Sequence, residues 1–190
     1  MVNNATILQK EVDVTGLAVT EKTYNGKKDD ADIKLRDAKV IGLIGNDKAT
    51  VEKAANFKAV YDTKDAGTSK YVTVTGLVLN GSDKVKNNYK LASDEQHLTG
   101  VINPKPVIVR GLTVEPKEYD GTNVATPVKT DMTIEGKVDG DDLDVDVTAM
   151  YNDETANTEK MAHFEMKLAR ADKDNYVLDA QSQDTVKGTI

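Results

Sequence analysis

Through most of this chain apolar and polar residues alternate with a period of two, and turn residues interrupt the alternation at roughly the eight-to-twelve-residue spacing of all-β domains. Tyr71-Val72-Thr73-Val74-Thr75 is the clearest strand, β-branched and strictly alternating. Val12 to Val19 alternates as well, as do Ile33 and Leu35, while Val40 to Ile44 is more continuously apolar. Ala49 to Tyr61 reads as one long strand or two short ones, since Val51, Phe57, Ala59 and Tyr61 mostly keep the period of two. A further strand is a candidate over Ala5–Leu8 in an otherwise polar lead-in. Turns are expected at Tyr24-Asn25-Gly26, Gly45-Asn46-Asp47, Asp62–Gly67 and Asn80–Asp83, where Asn, Asp and Gly tolerate positive φ.

The pattern occurs twice. Gly16 to Gly26 and Gly111 to Gly121 both carry an alternating apolar segment into a tyrosine and a tight turn, with Tyr24 and Tyr119 95 positions apart. Gly140-Asp141-Asp142 aligns with Gly45-Asn46-Asp47 at the same spacing of 95. Tyr151 follows Tyr61 by 90 and Tyr176 follows Tyr89 by 87, so about five residues drop out between the second and third landmarks. Gly188-Thr189-Ile190 closes the second copy as Gly100-Val101-Ile102 closes the first. Between them, Asn103-Pro104-Lys105-Pro106 predicts a stiff, extended linker, because proline fixes φ and lacks a ladder donor. The expected organisation is a first module over 1–102, a linker over 103–106 and a second module over 107–190, holding end to end with a small interface.

These landmarks resemble the YDG-type repeat of bacterial surface and adhesin-like proteins. The resemblance is carried by Tyr119-Asp120-Gly121, Gly140-Asp141-Asp142, the aromatic pairs Tyr61-Asp62 and Tyr151-Asn152, and Asn-Tyr-x-Leu at 88–91 and 175–178. Tyr24-Asn25-Gly26 departs from it by one residue, and Asn157 stands where the first copy has Gly67. What the resemblance implies is a repeated, non-catalytic module of a large exported bacterial protein, with flanking repeats, acting as stalk, spacer or adhesive unit at the cell surface or in the medium.

Composition narrows the function further. The chain of 190 residues has a formal net charge of −7 and no cysteine. Without a basic stripe, electrostatic capture of nucleic acid or of an anionic membrane is disfavoured. The cysteine count suits a cytosolic protein or a bacterial exported one better than a small disulfide-stapled domain. No apolar run reaches the ~20 residues of a membrane helix, so no membrane insertion is expected. Met1-Val2-Asn3-Asn4 reads as a start added ahead of a piece of a longer chain, whose targeting signals would then be missing.

Little in the sequence suggests chemistry. There is no Gly-x-Ser-x-Gly elbow, no phosphate loop and no Gly-x-Gly-x-x-Gly. His97 and His163 fall at unmatched places in the two copies, and zinc needs three or four converging ligands. The acidic run through Asp139, Asp141, Asp142, Asp144 and Asp146 is the best calcium candidate, with Asp139, Asp141 and Asp142 on the turn itself. A strand starting near Leu143 would instead turn Leu143, Val145 and Val147 inward and send Asp144 and Asp146 out, too far apart to share an ion with the turn. No high-affinity metal site, no cofactor and no enzyme activity are therefore expected.

The matched tyrosines, Tyr24 with Tyr119, Tyr61 with Tyr151 and Tyr89 with Tyr176, are expected as core anchors, and Gly26 and Gly121 as turn glycines. The expected fold is all-β: two tandem Ig-like sandwiches of six to eight short strands. The alternative is a β-grasp-like module whose one helical turn would fall in Ala49–Phe57. A stalk or spacer role is expected first, and a module binding a host protein or glycan through its end loops second.

Overall fold

A computed structural model describes residues 6–190, and the chain is predominantly β-strand. It divides into two compact units. One comprises the described residues up to Lys22 together with Gly26–Asn103; the other comprises Thr23–Asn25 together with Pro104–Ile190. Of the candidate strand over 5–8, Ala5 lies outside the described residues and 6–8 form no strand; Ile7 and Leu8 are exposed, so pairing there would bury nothing.

Each unit is built mainly of a three-stranded and a four-stranded sheet, with a further two-stranded pair, and the two units share the order of their main strands. In the first, Lys10–Thr15 lies between Lys39–Ile41, antiparallel, and Tyr89–Leu91, parallel. In the second, Lys105–Arg110 lies between Thr133–Glu135 and Tyr176–Leu178 with the same directions. Lys105 and Pro106, expected in a linker, thus pair with Tyr176 and Val177. The second sheet is antiparallel. Thr50–Tyr61, Gly67–Asn80 and Glu95–Asn103 are neighbours in that order. Asp144–Tyr151, Lys160–Ala169 and Thr185–Gly188 repeat the order in the second unit.

The alternation sets these strands because one face of each is covered and the other wet. Val72 and Val74 are fully buried while Tyr71 is exposed, and Val107 and Val109 are buried on either side of Ile108. In the second unit Val109, Ile134 and Leu178 of the three-stranded sheet pack with Val145, Val147, Phe164, Met166 and Leu168 of the other. A smaller cluster of Ala125, Ala149, Tyr151, Ala162 and Ile190 shares Phe164 with it. In the first unit Val12, Val85 and Tyr89 make the matching centre, with Val40, Leu79 and Leu91 around them.

Two glycine pairs are required by close approach. A Cβ on Gly100 would meet Tyr61 Cε1 and Val19 Cγ1 at 2.9 Å, and one on Gly188 would meet Tyr151 Oη and Val114 Cγ2 at 2.5 Å. The two tyrosines therefore approach bare backbone more closely than a side chain there would allow. Gly16 and Gly111 have φ of +76° and +79°, and a Cβ on either would stand 2.1 Å from a carbonyl oxygen, of Asp37 or Asp131.

The long strand Thr50–Tyr61 accounts for most of the length difference between the copies, having 12 residues where its counterpart Asp144–Tyr151 has 8. Its register against Gly67–Asn80 shifts between Lys53 and Lys58, whereas Asp144–Tyr151 pairs residue by residue with its neighbour. The extra residues form a bulge, which bends and twists a strand without ending it. Ala49–Phe57 is accordingly not helical, and the helical turn of the β-grasp alternative is not found there. The helix runs over Asp83–Asn88 instead, where a turn was expected. Val85 on its inner side is buried beside Tyr89, and that contact stabilises a six-residue helix too short to persist alone.

The matched tyrosines differ in one detail. The Tyr151 hydroxyl donates to Thr189 O at 3.2 Å, whereas the buried Tyr61 hydroxyl has no hydrogen-bond partner among the described residues. A buried unpaired hydroxyl costs roughly 1–3 kcal/mol. Tyr61→Phe is therefore expected to leave stability unchanged or to raise it by about 1 kcal/mol, and Tyr151→Phe to lower it by about 1 kcal/mol. Urea unfolding of the two variants checks the opposite signs.

Candidate functional site

One buried carboxylate of the second unit, Asp141, holds two phenols. Asp141 follows Gly140 on the turn before Asp144–Tyr151, and its backbone N–H donates to Val138 O at 3.2 Å. Its Oδ2 accepts two phenols: Tyr176 at 2.5 Å and Tyr24 at 2.7 Å. The Val138 N–H in turn donates to the Tyr176 oxygen at 3.0 Å. The two rings meet edge to face, with centroids 5.4 Å apart, a favoured geometry for aromatic pairs. Asn175, next in chain to Tyr176, is buried beside them in sequence.

Burial, reinforced by the hydrogen bond to Asp141, raises the Tyr176 phenol well above its ordinary range. The folded state thus holds a proton that the unfolded state releases near pH 10. The stabilisation is complete below pH 10 and is lost as pH rises through that range. Tyr176→Phe should flatten the alkaline fall in stability of the second unit, as followed by circular dichroism from pH 9 to 12.

The first unit carries the same carboxylate–phenol pair. Tyr89 donates to Asp47 Oδ2 at 2.8 Å and accepts from the Ile44 N–H at 3.1 Å. The Asp47 N–H donates to Ile44 O at 3.2 Å. Asp47 thus corresponds to Asp141, 94 positions on, and not to Asp142 as the spacing of 95 suggested. The reason is that geometry follows the hydrogen bonds of the turn, and the two turns differ by one residue. Lys84 holds the other oxygen of Asp47 at 2.6 Å; that bond, ahead of the one from Tyr89, lowers the Asp47 pKa.

The calcium candidates separate. Asp141 is buried and takes two phenols, Asp139 and Asp142 are exposed, and the Asp142 N–H is held by Asp172 Oδ2 at 2.8 Å. Leu143 and Val145 are buried and Asp146 is exposed, following the alternation. Asp144 is half-buried; Lys129, 2.9 Å away, lowers its pKa. Among the described residues, no group of three or more His, Cys, Asp or Glu is arranged to hold a metal ion. His163 contacts Asn152 Oδ1 at 2.7 Å, and His97 stacks on Tyr71 with centroids 5.0 Å apart.

The landmark tyrosines do not all fill the core. Tyr24, Tyr61, Tyr89, Tyr151 and Tyr176 are buried, but Tyr119 is 64% exposed. Its expected role as a core anchor is therefore corrected. Tyr119 sits at the tip of a loop whose lysine, Lys117, is tied to Asp120 Oδ1, Thr122 O, Thr122 Oγ1 and Val124 O at 2.8–3.1 Å. Lys22 does the same before Tyr24, reaching Lys27 O and Asp30. With Gly26 and Gly121 both at φ +76°, the two loops match, and only the surroundings of the ring differ.

Sequence reasoning missed these lysines. Lys160 is a third case: nearly buried, it binds Asp153 and the carbonyl and hydroxyl of Thr155. Lys117 for Asp120, and Lys160 for Asp153, are the main reason both carboxyl pKa values fall to about 2. The contribution of both loops is thus present above the ordinary carboxylate range and lost as pH falls toward 2. The only signal was a lysine at matched distance from each tyrosine, which is hard to tell from a surface charge.

The chain is predominantly β-strand, and its polar landmarks hold its own loops and turns. The YDG domain family profile matches residues 8–96 and again 103–185, and the chain belongs to that family. Comparison with curated proteins and with solved structures returned no match. Among the described residues, no helix is long and apolar enough to cross a membrane.

Proposed function

We propose that this chain is a non-catalytic pair of YDG modules from a bacterial cell-surface or secreted adhesin-like protein, serving as a stalk or spacer that presents another region. The observation that carries this is where the family landmarks go. Tyr24, Asp141 and Tyr176 bond one another, Tyr61 and Tyr151 cover glycines, and Lys117 and Lys160 tie loops. Residues spent on building a scaffold suit a spacer better than an enzyme.

The facing three- and four-stranded sheets favour a sandwich of Ig-like build over a β-grasp. In this reading the chain inserts in no membrane, binds no nucleic acid and needs no cofactor. Its natural neighbours are further repeats.

The test is surface display of an epitope ahead of one, two or three copies of the chain. Reach from the cell surface should grow with copy number, and adhesion to surfaces coated with host protein or glycan should not. Adhesion that appears with a single copy and vanishes on loop substitution would overturn the spacer reading in favour of ligand binding through the end loops.

A further inference from the structure

We propose that a YDG module receives the tyrosine loop of another copy, with Tyr119 of one chain seating on the Asp47–Tyr89 pair of the next. The inference deepens the spacer reading, on which it rests for taking repeats of the same kind as the natural neighbours.

The model for the contact is already in the second unit. There Tyr24, borne on a tight turn of the first copy of the sequence, is only 1% exposed, donates to Asp141 and packs edge-on against Tyr176. Two halves of the same arrangement are present elsewhere without their complement. Tyr119 is offered by an equivalent loop, braced by Lys117 as Tyr24 is by Lys22, and its ring is 64% exposed. Asp47 and Tyr89 reproduce Asp141 and Tyr176, including the backbone N–H of Ile44 on the phenol oxygen where Val138 supplies it in the second unit.

The two receiving tyrosines are equally buried, and the difference between the sites lies in the residues around them. Asn175 and Asp141 are buried, and Val138 is half-buried. Their counterparts Asn88 and Asp47 are exposed and half-buried, and Ile44 is 62% exposed. Asp47 can accept the extra phenol. A carboxylate oxygen has two acceptor positions; Asp141 Oδ2 takes two tyrosines, and among the described residues Asp47 Oδ2 takes Tyr89 while Lys84 is on Oδ1. A loop and a receiving site that are different surfaces make a head-to-tail contact, which can repeat from copy to copy. Linking repeats in one chain would raise the local concentration of the loop at its site.

The experiment joins Ile190 of one chain to Leu8 of a second, leaving two residues before Lys10 as there are two between Ile102 and Lys105. Tyrosines are nitrated with tetranitromethane and the rates read by peptide mass spectrometry. Tyr119 of the leading copy should be nitrated at least tenfold more slowly than in the single chain, while Tyr119 of the trailing copy stays fast. Asp47→Asn or Ile44→Glu in the trailing copy should restore the fast rate, and slow nitration of the buried Tyr61 in that copy shows its first unit still folded. Equal rates for the two Tyr119 residues, or protection that survives both substitutions, would overturn the proposal. Neither result depends on whether the parent protein binds a host molecule, so the spacer reading stands or falls separately.

Discussion

Tyr24→Ala is expected to destabilise the second unit by about 3–5 kcal/mol, while Tyr119→Ala changes stability by less than about 0.5 kcal/mol. The two tyrosines occupy the same place in the repeated motif, so sequence alone predicts equal effects. The structure predicts unequal ones because Tyr24 is sealed and Tyr119 is open to solvent. Removing the Tyr24 ring deletes an aromatic packed on Tyr176 and leaves Asp141 with one phenol where it had two. Truncating Tyr119 removes a ring that lies largely in water. Thermal or urea unfolding of the two single variants, measured side by side on the 190-residue chain, checks the contrast. Comparable losses would mean that the Tyr119 ring is buried in solution.

The second large effect separates strain from collision within one motif. Gly111→Ala is expected to cost about 3–5 kcal/mol, or to prevent the second unit from folding. Gly121→Ala should cost only about 1–2 kcal/mol. Both glycines have positive φ, +79° and +76°, so an alanine at either carries the left-handed penalty. Only at Gly111 does the new methyl meet backbone, 2.1 Å from Asp131 O; at Gly121 nothing lies within 4 Å. A carbonyl held in the chain cannot swing aside as a side-chain tip can. Equal midpoints for the two variants in urea would show that the Gly111 turn gives way more easily than its geometry implies.

Much of the site was written in the chain but not its partnerships. Asp141 stood out as acidic and turn-borne, and Tyr24 and Tyr176 as repeated aromatics, yet nothing in their spacing says that one oxygen serves both hydroxyls. The acidic run suggested a cation because five aspartates lie close in sequence. In space the strand turns Asp144 and Asp146 to the side opposite the buried Leu143 and Val145, away from the turn, and of the five only Asp141 is buried. The Asp83–Asn88 helix was equally hidden, since a single buried residue, Val85, holds it in place.

Local periodicity by itself determined that the chain is built of strands. It also placed their inward residues, such as Val72, Val74, Val145 and Tyr151, since a period of two can bury only one face of a strand. The matched turns likewise announced two similar units, because Gly, Asn and Asp set backbone angles locally. Tertiary structure alone decided which strands pair. Lys10–Val12 lies parallel to Tyr89–Leu91 across nearly the whole first unit, and no neighbouring residues encode so distant a partner. It alone also decided that Tyr24 is core and Tyr119 surface. Burial depends on what arrives from elsewhere in the chain, and two copies of one motif need not be covered alike.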